Sequence, residues 1–147
     1  MVAARPGFLL DTNVISELMK PRANRRVAQW VDSTSEDLLF LSVITIGEVR
    51  KGIDLLSEAD PRRAALQSWL DHDLRVRFAG RLLPFDDGVA ERWGQLEALA
   101  KLRRQTVPTI DAQLAATALH HVLTFATRNT AHLRQTGVSL FNPWSEG

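Results

Sequence analysis

The sequence contains no cysteine, which removes disulfide bridges, thiolate zinc sites and cysteine nucleophiles from consideration. It also lacks any stretch approaching the roughly 18 to 20 consecutive apolar residues of a membrane span. The run Phe8-Leu9-Leu10 behind residues 1–6 is too short for a signal-peptide core, so a cytoplasmic protein without membrane contact is expected. Charge of one sign is missing too. With 18 basic and 17 acidic side chains the formal net charge is +1, which weighs against a strongly basic surface for nucleic acid. No repeat, linker or low-complexity segment interrupts the chain. What remains is 147 residues, 45% apolar and 24% charged, enough for one ordinary domain with a sizeable core and hardly for two.

Several common site motifs are absent as well. Gly47 and Gly52 have P-loop spacing, but Ile53-Asp54 follow where Lys-Ser/Thr is required. There is no Gly-x-Ser-x-Gly elbow. A phosphoacceptor receiver needs a lysine after a late strand, and Lys20, Lys51 and Lys101 are all misplaced.

The patterning that is present alternates short apolar runs with amphipathic segments. Residues 8–10 and 38–41 read as strands covered on both faces, with weaker strands at 81–84, 122–126 and 138–141. Helices are expected over 14–19, over a segment capped by Asn24 with Val27, Trp30 and Val31 inward, and over 43–56. Pro61 opens another with Leu66, Trp69, Leu70 and Leu74 on its apolar stripe. Asp86 or Asp87 caps a long one through Leu102, and Pro108-Thr109 begin one whose inner face carries Leu114, Ala115 and Ala118. Strands alternating with helices imply βαβ units and a mostly parallel central sheet flanked by helices, in a single α/β domain.

Sites in such sheets form at the carboxyl ends of strands. Asp11 follows the first strand directly, Glu48 lies in the helix after the second, Asp111 opens the helix leading to the 122–126 strand, and Thr127-Arg128-Asn129 follow that strand. Singly, Asp11 and Asp111 read as helix-cap or dipole-complementing residues. Glu48 is harder to place so, because Ile44, Ile46, Val49 and Ile53 surround it. Jointly, carboxylates converging at strand ends repel one another, and a bound cation compensates them.

The ordered set Leu9-Leu10-Asp11-Thr12-Asn13-Val14-Ile15-Ser16-Glu17, Leu41-Ser42 through Glu48, Asp111 with Ala115-Ala116-Thr117-Ala118, Thr127-Arg128-Asn129 and Phe141-Asn142-Pro143-Trp144 resembles a PIN domain. Within that family it is similar, over nearly the whole chain, to the VapC-type ribonuclease toxins of toxin–antitoxin pairs, FitB-like branch, which implies one PIN domain over residues 1–147. The resemblance implies a Mg²⁺-dependent endoribonuclease toxin, with Mn²⁺ as a substitute ion, that cleaves RNA and is neutralised by a cognate antitoxin. It implies Asp11, Asp111 and Glu48 as the metal-holding acids, the first two directly and Glu48 through water or as general base. Thr127 takes the position of the family's active-site hydroxyl, and Asn13 and Arg128 are candidate RNA contacts. A homodimer is implied as well, and so is an antitoxin groove along the helices at 14–19 and 27–31.

One segment departs from the family pattern. No acid follows Asp111 until Glu146, so Asn129 stands where many members carry a fourth carboxylate, with His132 nearby. An amide oxygen can coordinate Mg²⁺ without charge, which favours a single ion. It also keeps open the alternative of a weakly active binding module that works through a complex with a DNA-binding antitoxin.

Among the basic residues 15 are arginines. Arg25-Arg26, Arg62-Arg63 and Arg103-Arg104 read as solvated helix faces, and Trp30, Trp69 and Trp93 as packing residues rather than base-stacking platforms.

Overall fold

The computed structural model describes residues 7–145; residues 1–6 and Glu146, which bear on the signal-peptide and acid-spacing arguments, lie outside them. Five strands form one sheet, β1 (Phe8–Leu10), β2 (Leu39–Ser42), β3 (Leu82–Leu83), β4 (Thr124–Ala126) and β5 (Leu140–Phe141), in the order β3-β2-β1-β4-β5. Every pairing is parallel, with Leu9 opposite Phe40 and Phe125, and Leu10 opposite Ala126. The expected mostly parallel sheet is therefore parallel throughout.

Each strand is short and apolar because it is covered on both faces. Leu10, Leu39, Leu41 and Ala126 pack with Val14, Ile15, Val27, Val49, Ile53 and Phe78 on one side. Leu9 and Phe125 pack with Leu114, Ala115, Ala118 and Leu133 on the other. The first side is built by α1 (Thr12–Leu18), α2 (Arg25–Ser33), α3 (Val43–Asp54) and a helical run from α4 (Arg62–Ser68) through a π-helical turn (Trp69–Leu74) to α5 (Arg75–Arg77). The second is built by α6 (Asp87–Leu102), α7 (Thr109–His120) and the short α8 (Thr130–Leu133). The α8 turn was not anticipated, because its four residues carry no helical periodicity.

The expected caps are observed where a side chain can reach an amide. Asn24 accepts from the backbone N–H groups of Arg26 and Val27, and Asp86 from that of Val89. Trp30 packs edge-on against Phe8, their ring centroids 5.0 Å apart, and Trp93 against Phe85, so both serve packing.

The 122–126 strand is shorter than its composition suggests, starting at Thr124. Val122 has φ 55°. Its N–H bonds Leu119 O at 3.2 Å, and the N–H of Leu123 reaches back to Ala118 O at 2.8 Å, a helix-ending turn that normally takes glycine. A β-branched residue is strained in this left-handed conformation. Val122 is also 89% exposed, so removing its side chain sacrifices almost no packing. Val122→Gly is expected to stabilise the protein by about 1 kcal/mol, read as a higher urea midpoint at unchanged slope. A lower midpoint would show that the valine side chain has a stabilising contact.

Candidate active site

Parallel register brings the carboxyl ends of β1, β2 and β4 to one edge. The chain leaves β1 for β2 and β3 on one side and returns as β4 and β5 on the other, so this edge is a topological switch point. The ladder runs one residue past the strands there: Asp11 N–H bonds Ala126 O, and Thr127 N–H bonds Phe141 O, both at 2.9 Å.

Asp11 occupies the N-cap position of α1, but its side chain does not cap the helix. Its Oδ2 instead accepts the Thr127 hydroxyl at 2.7 Å. Thr127 is fully buried, and its Oγ1 accepts the Asn129 backbone N–H at 3.0 Å and the Asn13 amide at 3.4 Å. Glu48, one turn and a half into α3, is fixed by a short hydrogen bond from Thr12 Oγ1 to its Oε1, and Thr12 also contacts Thr45 Oγ1 at 3.1 Å. Asp111 lies half-buried in the first turn of α7, where the helix dipole favours an anion. Asp11, Glu48 and Asp111 line one cleft of about 390 Å³ together with Thr12, Asn13, Ser16, Glu17, Lys20, Arg128, Asn129 and Trp144.

A model of the PIN domain family matches residues 8–138. The chain belongs to the PIN domain family. Toxin FitB of Neisseria gonorrhoeae is 41% identical over 139 residues, covering 95% of this chain and 99% of its own. VapC ribonuclease Y4jK of Sinorhizobium fredii is 38% identical over 137 residues, covering 93% and 97%. The crystal structure of FitAcB from N. gonorrhoeae superposes with a TM-score of 0.88 at 41% identity, over 94% of this chain and 99% of that one.

All seven site residues named from the sequence thus border this PIN-domain cleft or, for Thr127, support it from beneath. His132, exposed on α8, is close enough to Asp111 to favour its ionised form. Five cleft residues were not anticipated as such: Thr12, Ser16, Glu17, Lys20 and Trp144. Thr12 carried the one available signal, a hydroxyl directly after a strand-end aspartate. Two residues of the expected helical groove do not face solvent. Val27 and Val31 are buried in the core, because α2 packs directly on the sheet. A groove of about 200 Å³ adjoins the site between α1 and α3–α4, lined among others by Met19, Val49, Ile53, Leu56 and Leu66.

The electrostatics are those of an overloaded anionic site. Burial pushes the Asp11 carboxyl up to about 6; the Thr127 hydroxyl opposes this, the Asp111 charge adds to it, the Thr12 backbone N–H opposes it and the Glu48 charge adds to it. Burial also raises Asp111, against the pull of His132. A hydrated Mg²⁺ fits this donor set. The carboxylates supply only hard oxygens, and the buried Asn13 Oδ1 has no hydrogen-bond partner among the described residues. Among the described residues, no group of three or more histidines, aspartates or glutamates could hold a metal ion by itself, so an ion here would keep waters among its ligands.

Ionised Asp11 therefore costs the metal-free fold stability. Its folded pKa of about 6 lies above the reference 3.8. The penalty is fully present above pH 6, fades as pH falls towards 4, and amounts to at most about 3 kcal/mol. Asp11→Asn keeps an acceptor for Thr127 and removes the charge. In EDTA at pH 7.5 it should raise the melting temperature, with the gain vanishing near pH 4. An unchanged or lower value at pH 7.5 would contradict this account of the site.

Proposed function

We propose that this chain is a Mg²⁺-dependent endoribonuclease toxin of the VapC type, active in the cytoplasm and neutralised by a cognate antitoxin. The observation that carries the reading is the convergence of Asp11, Glu48 and Asp111 on one cleft, with Asp11 held by Thr127. The names of relatives at 38–41% identity, a toxin and a VapC ribonuclease, support it.

Asp11 and Asp111 would hold Mg²⁺ directly and Glu48 through water; the ion, when bound, supplies Lewis-acid stabilisation of phosphate charge and a water of lowered pKa. The protein's share is positional. Thr127 fixes the Asp11 carboxylate, and Thr12 fixes Glu48 through Oε1, leaving Oε2 free to take a proton from the attacking water. Arg128 offers a guanidinium fork to a strand phosphate. Hydrolysis breaks one P–O ester bond, and the leaving oxygen takes a proton. Asn129 contributes a neutral amide at the cleft wall rather than a charge.

The groove between α1 and α3–α4 is the antitoxin site in this reading, since it runs apolar up to Thr12 and Glu48. Leu99 and Leu102, exposed on α6, supply an apolar edge for a homodimer. The second reading, a weakly active module acting through a DNA-binding antitoxin, is favoured by Asn129 alone.

Incubation of total RNA with the purified protein and Mg²⁺ should yield discrete fragments. EDTA should stop cleavage and Mn²⁺ restore it. Asp11→Asn and Asp111→Asn should each reduce the rate by about 100-fold or more. Mg²⁺ should also raise the melting temperature of wild type and leave Asp111→Ala unmoved. Cleavage that persists in Asp11→Asn would refute the nuclease reading, and wild-type stability indifferent to Mg²⁺ would refute the metal site.

A further inference from the structure

The C-terminal tail returns to the cleft, and its contacts there serve none of the three acids. Trp144 packs partly against the core and lines the cleft beside Arg128. The Arg128 guanidinium sits 5.3 Å from the indole centroid, within cation–π range. Among the described residues Arg128 forms no ion pair and no hydrogen bond, so its five N–H donors are uncommitted. Trp144 is itself held at several points. Its Nε1–H donates to Glu17 Oε1 at 3.4 Å, its backbone N–H to Asn142 Oδ1 at 2.9 Å, and Arg26 reaches its carbonyl at 3.5 Å.

Glu17 is 6% exposed and also receives the Asn24 N–H at 3.3 Å and Lys20 Nζ at 3.4 Å. Burial alone would raise its pKa, but the Asn24 N–H, Lys20 and the indole outweigh burial and hold the carboxyl below its usual range. A buried anion at the cleft wall thus ties α1, the loop before α2 and the tail together.

Stacking on an indole uses the plane of a guanidinium and leaves its edges free for bidentate contact with phosphate. It also removes rotamer freedom that a solvated arginine would lose on binding. We propose that Glu17 and Trp144 are positioning residues that preset Arg128 as a phosphate clamp on the RNA strand, beside the acidic centre. The proposal rests on the ribonuclease reading for the identity of the strand.

The test is a double-mutant cycle on RNA binding and turnover. Binding is followed by anisotropy of a fluorescein-labelled oligouridylate with Mg²⁺, in an Asp11→Asn background that suppresses cleavage; kcat and KM are measured without that substitution. Trp144→Leu should weaken binding about fivefold and raise KM with kcat nearly unchanged. It should add nothing in the Arg128→Ala background. Trp144→Phe keeps an aromatic face and should recover most of the affinity, while Glu17→Gln should weaken binding about twofold.

Equal losses from Trp144→Leu with and without Arg128 would overturn the clamp. So would a Phe variant as weak as Leu, or a loss confined to antitoxin binding. Normal cleavage without coupling defeats the clamp and spares the ribonuclease reading. Coupled binding without any wild-type cleavage does the reverse, and absence of both binding and cleavage defeats both.

Discussion

The hydrogen bond from Thr127 to Asp11 spans the ends of two neighbouring parallel strands, and it can form only in one register. Leu9 and Phe125 must face the α6–α7 side while Leu10 and Ala126 face the other. A one-residue slip of either strand would reverse both faces. Core packing therefore sets the alignment, and the alignment delivers a carboxylate and a hydroxyl to the same point. Thr127 then passes the constraint on, because its oxygen also holds the Asn129 N–H and the Asn13 amide. The acid cluster is precise because the hydrophobic sheet beneath it has no other good solution.

That precision is destabilising where it serves chemistry. Asp11 is 4% exposed and is surrounded by the fields of Asp111 and Glu48. Few features offset this. The α7 dipole and the charge of His132 favour ionised Asp111, and the two threonine hydroxyls satisfy one oxygen each of Asp11 and Glu48. On the proposed reading a divalent ion would remove the remaining penalty and so couple occupancy of the site to stability.

Features encoded in a few neighbouring residues were readable from the chain. Asp86 caps α6 because its carboxylate reaches the Val89 amide three residues on, and the strand Phe8–Leu10 ends where Asp11 begins. The strand-end positions of Asp11, Glu48 and Thr127 followed from the alternation of strands and helices. What escaped depends on contacts distant in sequence or on strain. Glu17 and Trp144 are 127 residues apart, and no periodicity connects them. Val122 reads as strand by composition, yet the turn closing α7 forces it into the left-handed region. Val27 and Val31 were read as groove residues because they have the same pattern whether their face meets a partner or the core, and they meet the core.

The near-zero net charge conceals a cleft with two sides. The acids Asp11, Glu48 and Asp111 come from the end of β1, from α3 and from α7, with Glu17 added by α1, while Arg128 and His132 come from the segment after β4, which has no acid among its described residues. Asn129 belongs to this second side. A carboxylate there would have added a further like charge to a site that already holds Asp11 at about 6 and would have competed for the guanidinium of Arg128. An amide avoids both, and its backbone N–H still supports Thr127. The missing fourth acid thus leaves the segment after β4 without negative charge beside the gathered carboxylates. On the proposed ribonuclease reading a strand of RNA would use both sides, its backbone drawn in by arginine at one phosphate and met by a metal at the next.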